Sequence, residues 1–369
     1  MASFYKKKFA KKIIVDVEGF GDVTTLDEAL SLAQEGTCIK LCEGVHICHS
    51  TIKKGGIKIE PYYKDKPAYL LGNEGPTLRI DVKLDDNNDP DEVSRKVVIL
   101  KRLVMTHNGE AIAKNFKEMQ FHDFKVLKKP NVKVLKDMCI EPSMNTIVLV
   151  EHGAVFMREC LLTLSILPKD LTRNVPAFVA LPKTHVNIIA CEFIGAAGLQ
   201  TSGVVSMNAA SCVISGSHFK IFRAGAIYSM GVEADQHRGK RGSEFLLTDS
   251  NIEDCQLMGV YFQGPGARQV CLRTKIHRVL GMGVRIHKGN RGKVKGCEIV
   301  KCKTGIEVCS GDPVICFNDI RECIENGVVT IAKEGLRCDG ILKYNRICQN
   351  KDNGIVCAGV NNFTHIEKN

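Results

Sequence analysis

Reactive side chains are plentiful in this sequence, but few are spaced for a simple site. His152, His185, His218, His277 and His287 stand far apart and lack the short intervals of a metal-binding set. Each reads as a surface or internally satisfied histidine. The acidic run of Asp85, Asp86, Asp89, Asp91 and Glu92 offers oxygen ligands of the kind Ca²⁺ takes. It has no spaced carboxylates around a turn glycine, so a solvated loop is expected there. Asp249, Asp254, Asp312 and Asp319 share no evident offset, and no Gly-rich Lys loop is present to cradle a phosphate. The 17 cysteines sit inside apolar runs, among them Cys191, Cys212, Cys255, Cys271, Cys302 and Cys323, and none forms a Cys-x-x-Cys pair. They read as small buried hydrophobes rather than a disulfide framework. Reduced thiols point to a cytoplasmic protein. Neither a metal nor any other cofactor is expected, nor is catalysis.

Positive charge is the stronger chemical signal, with a formal net charge of +10. Lys6, Lys7, Lys8, Lys11 and Lys12 alternate with Phe4, Tyr5 and Phe9 in a basic arm at residues 1–12. A second cluster, Arg238, Lys240 and Arg241, falls in an apparent insertion at 232–243. Both suit long-range attraction to an acidic partner: a protein surface, with tubulin among the candidates, an anionic lipid surface or nucleic acid. No nucleic-acid recognition motif accompanies them. No apolar run reaches 18 residues, so no membrane span is expected.

The elements that must carry these residues are announced by repetition. Residues 294–357 write one short pattern three times: an apolar run, a polar turn, a second run opening on Ile, then Gly and a β-branched residue. Gly283, Gly305 and Gly327 recur at intervals of 22, and Gly203, Gly225, Gly259 and Gly354 extend the series. Six or seven residues before most of them stands Phe219, Ile252, Ile276, Ile299, Ile320 or Ile347. Self-similarity at this period signals stacked coils. No copy holds enough 3.6-period pattern for a helix, so helical repeats are excluded. Short strands and turns in a coil of this length predict an all-β, right-handed parallel β-helix. Its inward side chains stack at ~4.8 Å per coil, giving roughly 11 to 13 coils and a rod of ~50–60 Å. The recurring glycines are expected to supply positive φ at the turns.

Ahead of the repeats, Ile13, Ile14 and Val15 predict a strand. Thr25 and Glu28 form a capping-box pattern, and Leu26, Ala29, Leu30 and Ala33 share one helical face. Gly36 is expected to close this helix at the C′ position. An amphipathic helix here can cover the open end of a stacked core. The expected organisation is an arm at 1–12, a single β-helix at 13–363 with its cap and first coil at 13–60, loop insertions at 81–92 and 232–243, and a tail at 364–369.

The opening from Val15 to Ile47, with its Gly19-x-Gly21-Asp22 turn, Thr25-x-x-Glu28-Ala29 helix and Ile39-x-Leu41-x-x-Gly44-x-His46 strand pair, resembles that of the pectin-lyase-like right-handed β-helix superfamily. The downstream Gly-Ile/Val coils look like its parallel β-helix repeats. The cysteine-rich short coils are similar to non-enzymatic eukaryotic members, the F-box-linked and SHC SH2-domain-binding types. The resemblance implies the fold and supplies tests of activity. Polygalacturonase-type relatives use Asn-Thr-Asp, Asp-Asp, Gly-His-Gly and Arg-Ile-Lys; here Asp-Asp occurs only at Asp85-Asp86, Gly-His-Gly is absent, and Arg285-Ile286-His287 is a lone echo read as exposed strand charge. The Gly-x-x-Asp-Phe strand of pectin methylesterases is missing. The expectation is a non-catalytic scaffold docking onto an acidic assembly, such as the cytoskeleton or a cilium. The alternatives are a carbohydrate-active lyase or hydrolase and a ubiquitin-ligase substrate adaptor.

Overall fold

The computed structural model describes residues 9–72, 75–84, 89–107, 146–164, 175–196, 200–232, 242–264, 267–333 and 335–369. Strands of three to nine residues, rich in Val, Ile and Cys, each pair in parallel with the equivalent strand one coil away. Three sheets result. Sheet A has 13 strands, from Lys11–Val15 to His365–Glu367. Sheet B has 11, from Gly44–Ile47 to Arg346–Cys348, and sheet C has 11, from Ser50–Ile52 to Ile355–Ala358. This is the predicted parallel β-helix. Register fixes its core: on sheet B, Phe193, Phe219, Ile252, Ile276, Ile299, Ile320 and Ile347 stand directly above one another. The Phe193 and Phe219 rings stack with centroids 4.6 Å apart.

The recurring glycines are needed for a different reason from the one expected. None of Gly203, Gly225, Gly259, Gly283, Gly305, Gly327 and Gly354 has positive φ. Instead, Gly203, Gly259, Gly283, Gly305 and Gly327 each lie against the Phe or Ile of the next coil. A Cβ on Gly305 would stand 2.5 Å from the Gly327 carbonyl oxygen and 2.5 Å from Cγ2 of Ile320. The two halves of the repeated signature are therefore contact partners across coils.

Positive φ belongs to the corners and is carried mostly by other residue types. Between sheets A and B it falls on Arg102, Glu159, Ala190, Asp249, Arg273, Phe317 and Tyr344, and after sheet B on Ile221, Asp254, Arg278, Lys301, Glu322 and Gln349. One left-handed residue makes a sharp bend, at a cost for side chains bearing Cβ. A polar ladder just inside the first corner offsets it. Asn318 Oδ1 accepts from Cys297 N (2.9 Å), Asn345 Oδ1 from Asn318 N (3.1 Å), and Asn369 Oδ1 from Asn345 N (3.0 Å). Ser217 and Ser250 serve earlier coils in the same way. These corner amides are thus satisfied by the next coil.

Helix α1 (Leu26–Leu32) closes the N-terminal end of the core, with Leu26, Ala29 and Ala33 buried and the Thr25–Glu28 capping box formed. It stops at an extended Ala33, so Gly36 is not its C′ residue; Gly36 lies in the next turn at φ +82°.

Three expected boundaries shift. The first strand begins at Lys11, not Ile13, because Lys11 and Lys12 pair with Thr37 and Cys38. The acidic insertion is partly helical: α2 (Pro90–Lys96) is capped by Asp89, and its Glu92 is buried. The segment 364–369 is no tail, since His365–Glu367 forms the last strand of sheet A. Of the 16 described cysteines, all free thiols, 13 are buried, which fits their reading as core hydrophobes.

Candidate functional site

Lysine positions scattered through the first coils converge because the strand register brings them together. On sheet A, Lys12 lies beside Cys38, Cys38 beside Lys58, and Lys40 beside Glu60. Lys101 ends the next strand, and Arg102 occupies its corner. Glu60 is the focus. Its side chain, 6% exposed, receives Lys40 Nζ at 2.6 Å and Lys58 Nζ at 2.8 Å, with Arg102 Nη2 at 3.5 Å. Burial pushes this carboxyl's pKa up, but the hydrogen bonds and charges of Lys40 and Lys58 outweigh it and bring the value down to about 2. Burial, and then Arg102, lower the pKa of Lys101.

Aromatic rings support the same face. Lys12 Nζ lies 4.2 Å from the centroid of Tyr62, Lys58 Nζ 5.8 Å from Phe9, and Lys66 Nζ 5.6 Å from Tyr63. Such contacts hold ammonium groups at the surface without neutralising them. Five cations, Lys12, Lys40, Lys58, Lys101 and Arg102, gather on this part of the sheet around Glu60. Glu60 offsets one of these five positive charges.

Of the residues singled out from sequence, Lys12 belongs to this face, and Lys11 Nζ reaches the Leu32 carbonyl at 3.5 Å. Lys6, Lys7, Lys8, Arg238, Lys240 and Arg241 lie outside the described residues. The neck of that second loop is described: Ser243 N donates to the Val232 carbonyl at 3.0 Å, and Val232 N to Ser243 Oγ at 3.2 Å. Sequence reasoning missed Lys40, Lys58, Lys101 and Arg102. The signal for the first two was their place in adjacent coils; for the last two an irregular coil length hid it.

A second polar group occupies the outer face of sheet C on strands Met258–Gln263, Met282–Asn290 and Thr304–Gly311. Tyr261 Oη and His287 Nδ1 are 3.0 Å apart, and Arg285 Nε lies 2.9 Å from Glu307 Oε1. The Arg285 side chain is only 16% exposed, so the expectation of exposed strand charge for Arg285-Ile286-His287 is corrected. Burial raises the Cys309 thiol pKa to about 11. Glu307 is the one carboxylate in this group and is held by Arg285. Inverting glycosidic cleavage needs two carboxyls with room for water between them. On sheet B, Glu298 and Asp319 do adjoin, but Arg321 bridges them at 2.8 and 3.2 Å. Among the described residues, no group of three His, Cys, Asp or Glu side chains is placed to hold a metal ion.

The three parallel sheets and their inward ladders define the class, a parallel β-helix protein. The chain belongs to the right handed beta helix region family, whose profile matches residues 176–369, just over half its length. No curated protein matches it. Among solved structures, it is similar to the Azotobacter vinelandii mannuronan C-5 epimerase AlgE4 A-module, with 11% identity over 93% of each chain and a TM-score of 0.46. It is also similar to a pectin methylesterase from Aspergillus niger (8% identity, 94% of this chain and 86% of that one, TM-score 0.34). A third is the periplasmic alginate epimerase AlgG (10% identity, 91% and 73%, TM-score 0.28). At these scores the likenesses carry no argument about activity.

Proposed function

We propose that the protein is a non-catalytic scaffold, a rigid β-helix rod that docks onto an acidic surface in a larger assembly. The observation that supports this is the cationic face of sheet A, where Lys12, Lys40, Lys58, Lys101 and Arg102 surround one buried carboxylate. The acidic surface of tubulin polymers has matching charge, and the cytoskeleton or a cilium is the assembly this reading proposes. Co-sedimentation with microtubules across a salt series tests the reading. Binding should weaken as salt rises. It should fall further in Lys12→Glu/Lys101→Glu, a variant that leaves the Lys40 and Lys58 bonds to Glu60 intact. Deletion of residues 1–8 removes Lys6, Lys7 and Lys8 of the basic arm while keeping the first strand, and should also weaken binding. Salt-independent binding, or full binding by the double variant, would overturn the proposal.

One observation favours a second reading, a carbohydrate-active enzyme: the half-buried Tyr261, Arg285, His287 and Glu307 group on sheet C. Arg285→Lys would abolish cleavage of uronate polymers under that reading and leave microtubule binding unchanged under the first.

A further inference from the structure

A basic cleft lies where two early coils turn from sheet C to sheet A, and none of its residues belongs to the cluster around Glu60. The turn after Ser50–Ile52 carries Lys53, Lys54 and Gly55. Because Ile52 pairs with Ile80, the next coil brings Asp81, Val82 and Lys83 alongside. Lys96, the last residue of α2, completes the wall. The cleft they line has a volume of about 470 Å³. A Cβ on Gly55 would stand 2.4 Å from the Lys96 carbonyl oxygen, so the end of α2 packs directly on this turn and backbone holds the wall in place.

The lining holds four ammonium groups and one carboxylate, and that carboxylate is taken: Asp81 Oδ1 lies 2.8 Å from His152 Nδ1. Lys96 pairs with the buried Glu92 and also donates to the Lys83 carbonyl at 3.4 Å. Lys54 Nζ donates to the Ser31 and Ala33 carbonyls at the end of α1, at 3.2 and 3.0 Å. These neutral acceptors fix the ammonium group and leave its charge uncompensated. Among the described residues, no carboxylate lies within ion-pair distance of Lys53, Lys54 or Lys83. Like charges gathered at one concavity repel one another and draw in an anion.

We infer that this cleft binds a small polyanion carrying two or more phosphate groups. Three observations select that class. The cations of the lining are all lysine; ammonium groups act as point charges on phosphate, whereas carboxylates are met best by the planar fork of arginine. Val82 is the only apolar side chain of the lining, so there is no surface on which a nucleobase could stack, and recognition is of charge. The volume exceeds that of one phosphate and falls within the ~300–1,000 Å³ usual for ligand clefts. Such groups occur on soluble polyphosphates and phosphorylated polyols, and on phosphorylated lipid headgroups. The inference does not rest on the acidic-partner reading, which uses Lys12, Lys40, Lys58, Lys101 and Arg102.

Isothermal titration of the full chain with inorganic tripolyphosphate tests it, at about 0.15 M salt so that loose surface attraction is screened. One tripolyphosphate should bind per chain. Lys53→Gln/Lys83→Gln changes two exposed side chains and should weaken binding about tenfold or more, because charged hydrogen bonds are lost. Lys293→Gln/Lys351→Gln removes the same charge elsewhere on the surface and should leave binding unchanged. In the wild-type chain, tripolyphosphate should shield Lys53 and Lys83 from amine acetylation, read by peptide mass mapping, a check that needs no variant. Vesicles carrying a bisphosphorylated inositol headgroup form the second arm. Flotation with them that is lost in Lys53→Gln/Lys83→Gln assigns the phosphates to a lipid, and binding of tripolyphosphate alone assigns them to a soluble ligand. The inference is overturned if neither probe binds, if Lys53→Gln/Lys83→Gln binds as well as wild type, or if shielding falls on Lys12 and Lys101 in place of Lys53 and Lys83.

Discussion

At the scale of single residues, the repeat glycines answer to space rather than to backbone conformation. Gly305→Ala should cost about 1–3 kcal/mol in urea unfolding, as overpacking does, because its Cβ would meet the next coil at 2.5 Å. Gly354→Ala is the control: its nearest neighbour is Ile347 Cγ2 at 3.6 Å, so its change should stay within ~0.5 kcal/mol. Asn345 joins three coils, accepting from Asn318 and donating to the Ile315 carbonyl and to Asn369 Oδ1. Asn345→Ala leaves buried amides unpaired and should cost about 1–3 kcal/mol or more in the same assay. Glu60 supplies a pH dependence. Its folded pKa, about 2, lies below the usual carboxylate value, so its stabilising contribution is complete above that usual value. The contribution is lost as pH falls towards about 2. Glu60→Gln should remove this part of the acid-unfolding slope while lowering stability at neutral pH, where Lys40 and Lys58 lose their partner; unfolding curves at stepped pH read both effects.

At the scale of elements, most strands announce themselves by β-branched alternation, and α1 by its cap. Thr25→Ala removes the bond from Glu28 N to Thr25 Oγ1 (3.2 Å) and should cost about 1 kcal/mol in thermal or urea unfolding. The helix α2 escaped notice because it is one short segment opening on Pro90 behind an acidic run, and local composition there favours a loop as strongly as a helix. The corners escaped for a related reason. Left-handed residues are expected to be glycine, yet Phe317 and Tyr344 take that conformation, beside the Asn318 and Asn345 ladder that exists only once neighbouring coils are stacked.

For the molecule as a whole, stacking makes one continuous core that holds most of the thiols. Burial pushes the pKa values of Cys212, Cys255 and Cys302 up to about 12. Among the described cysteines, Cys357 alone is exposed. A thiol-alkylating reagent followed by peptide mass mapping should therefore mark Cys357 first among the described cysteines of the native protein and reach those three only on unfolding. The period of the sequence was enough to establish a parallel β-helix, since residues one coil apart repeat in kind and most inward positions are apolar or small. The location of a functional face was not. Lys12, Lys40, Lys58, Glu60, Lys101 and Arg102 are spread over some 90 positions and become neighbours through register and an irregular coil. Periodicity records which residues point inward; which outward charges meet depends on where each coil begins, and only the folded stack decides that.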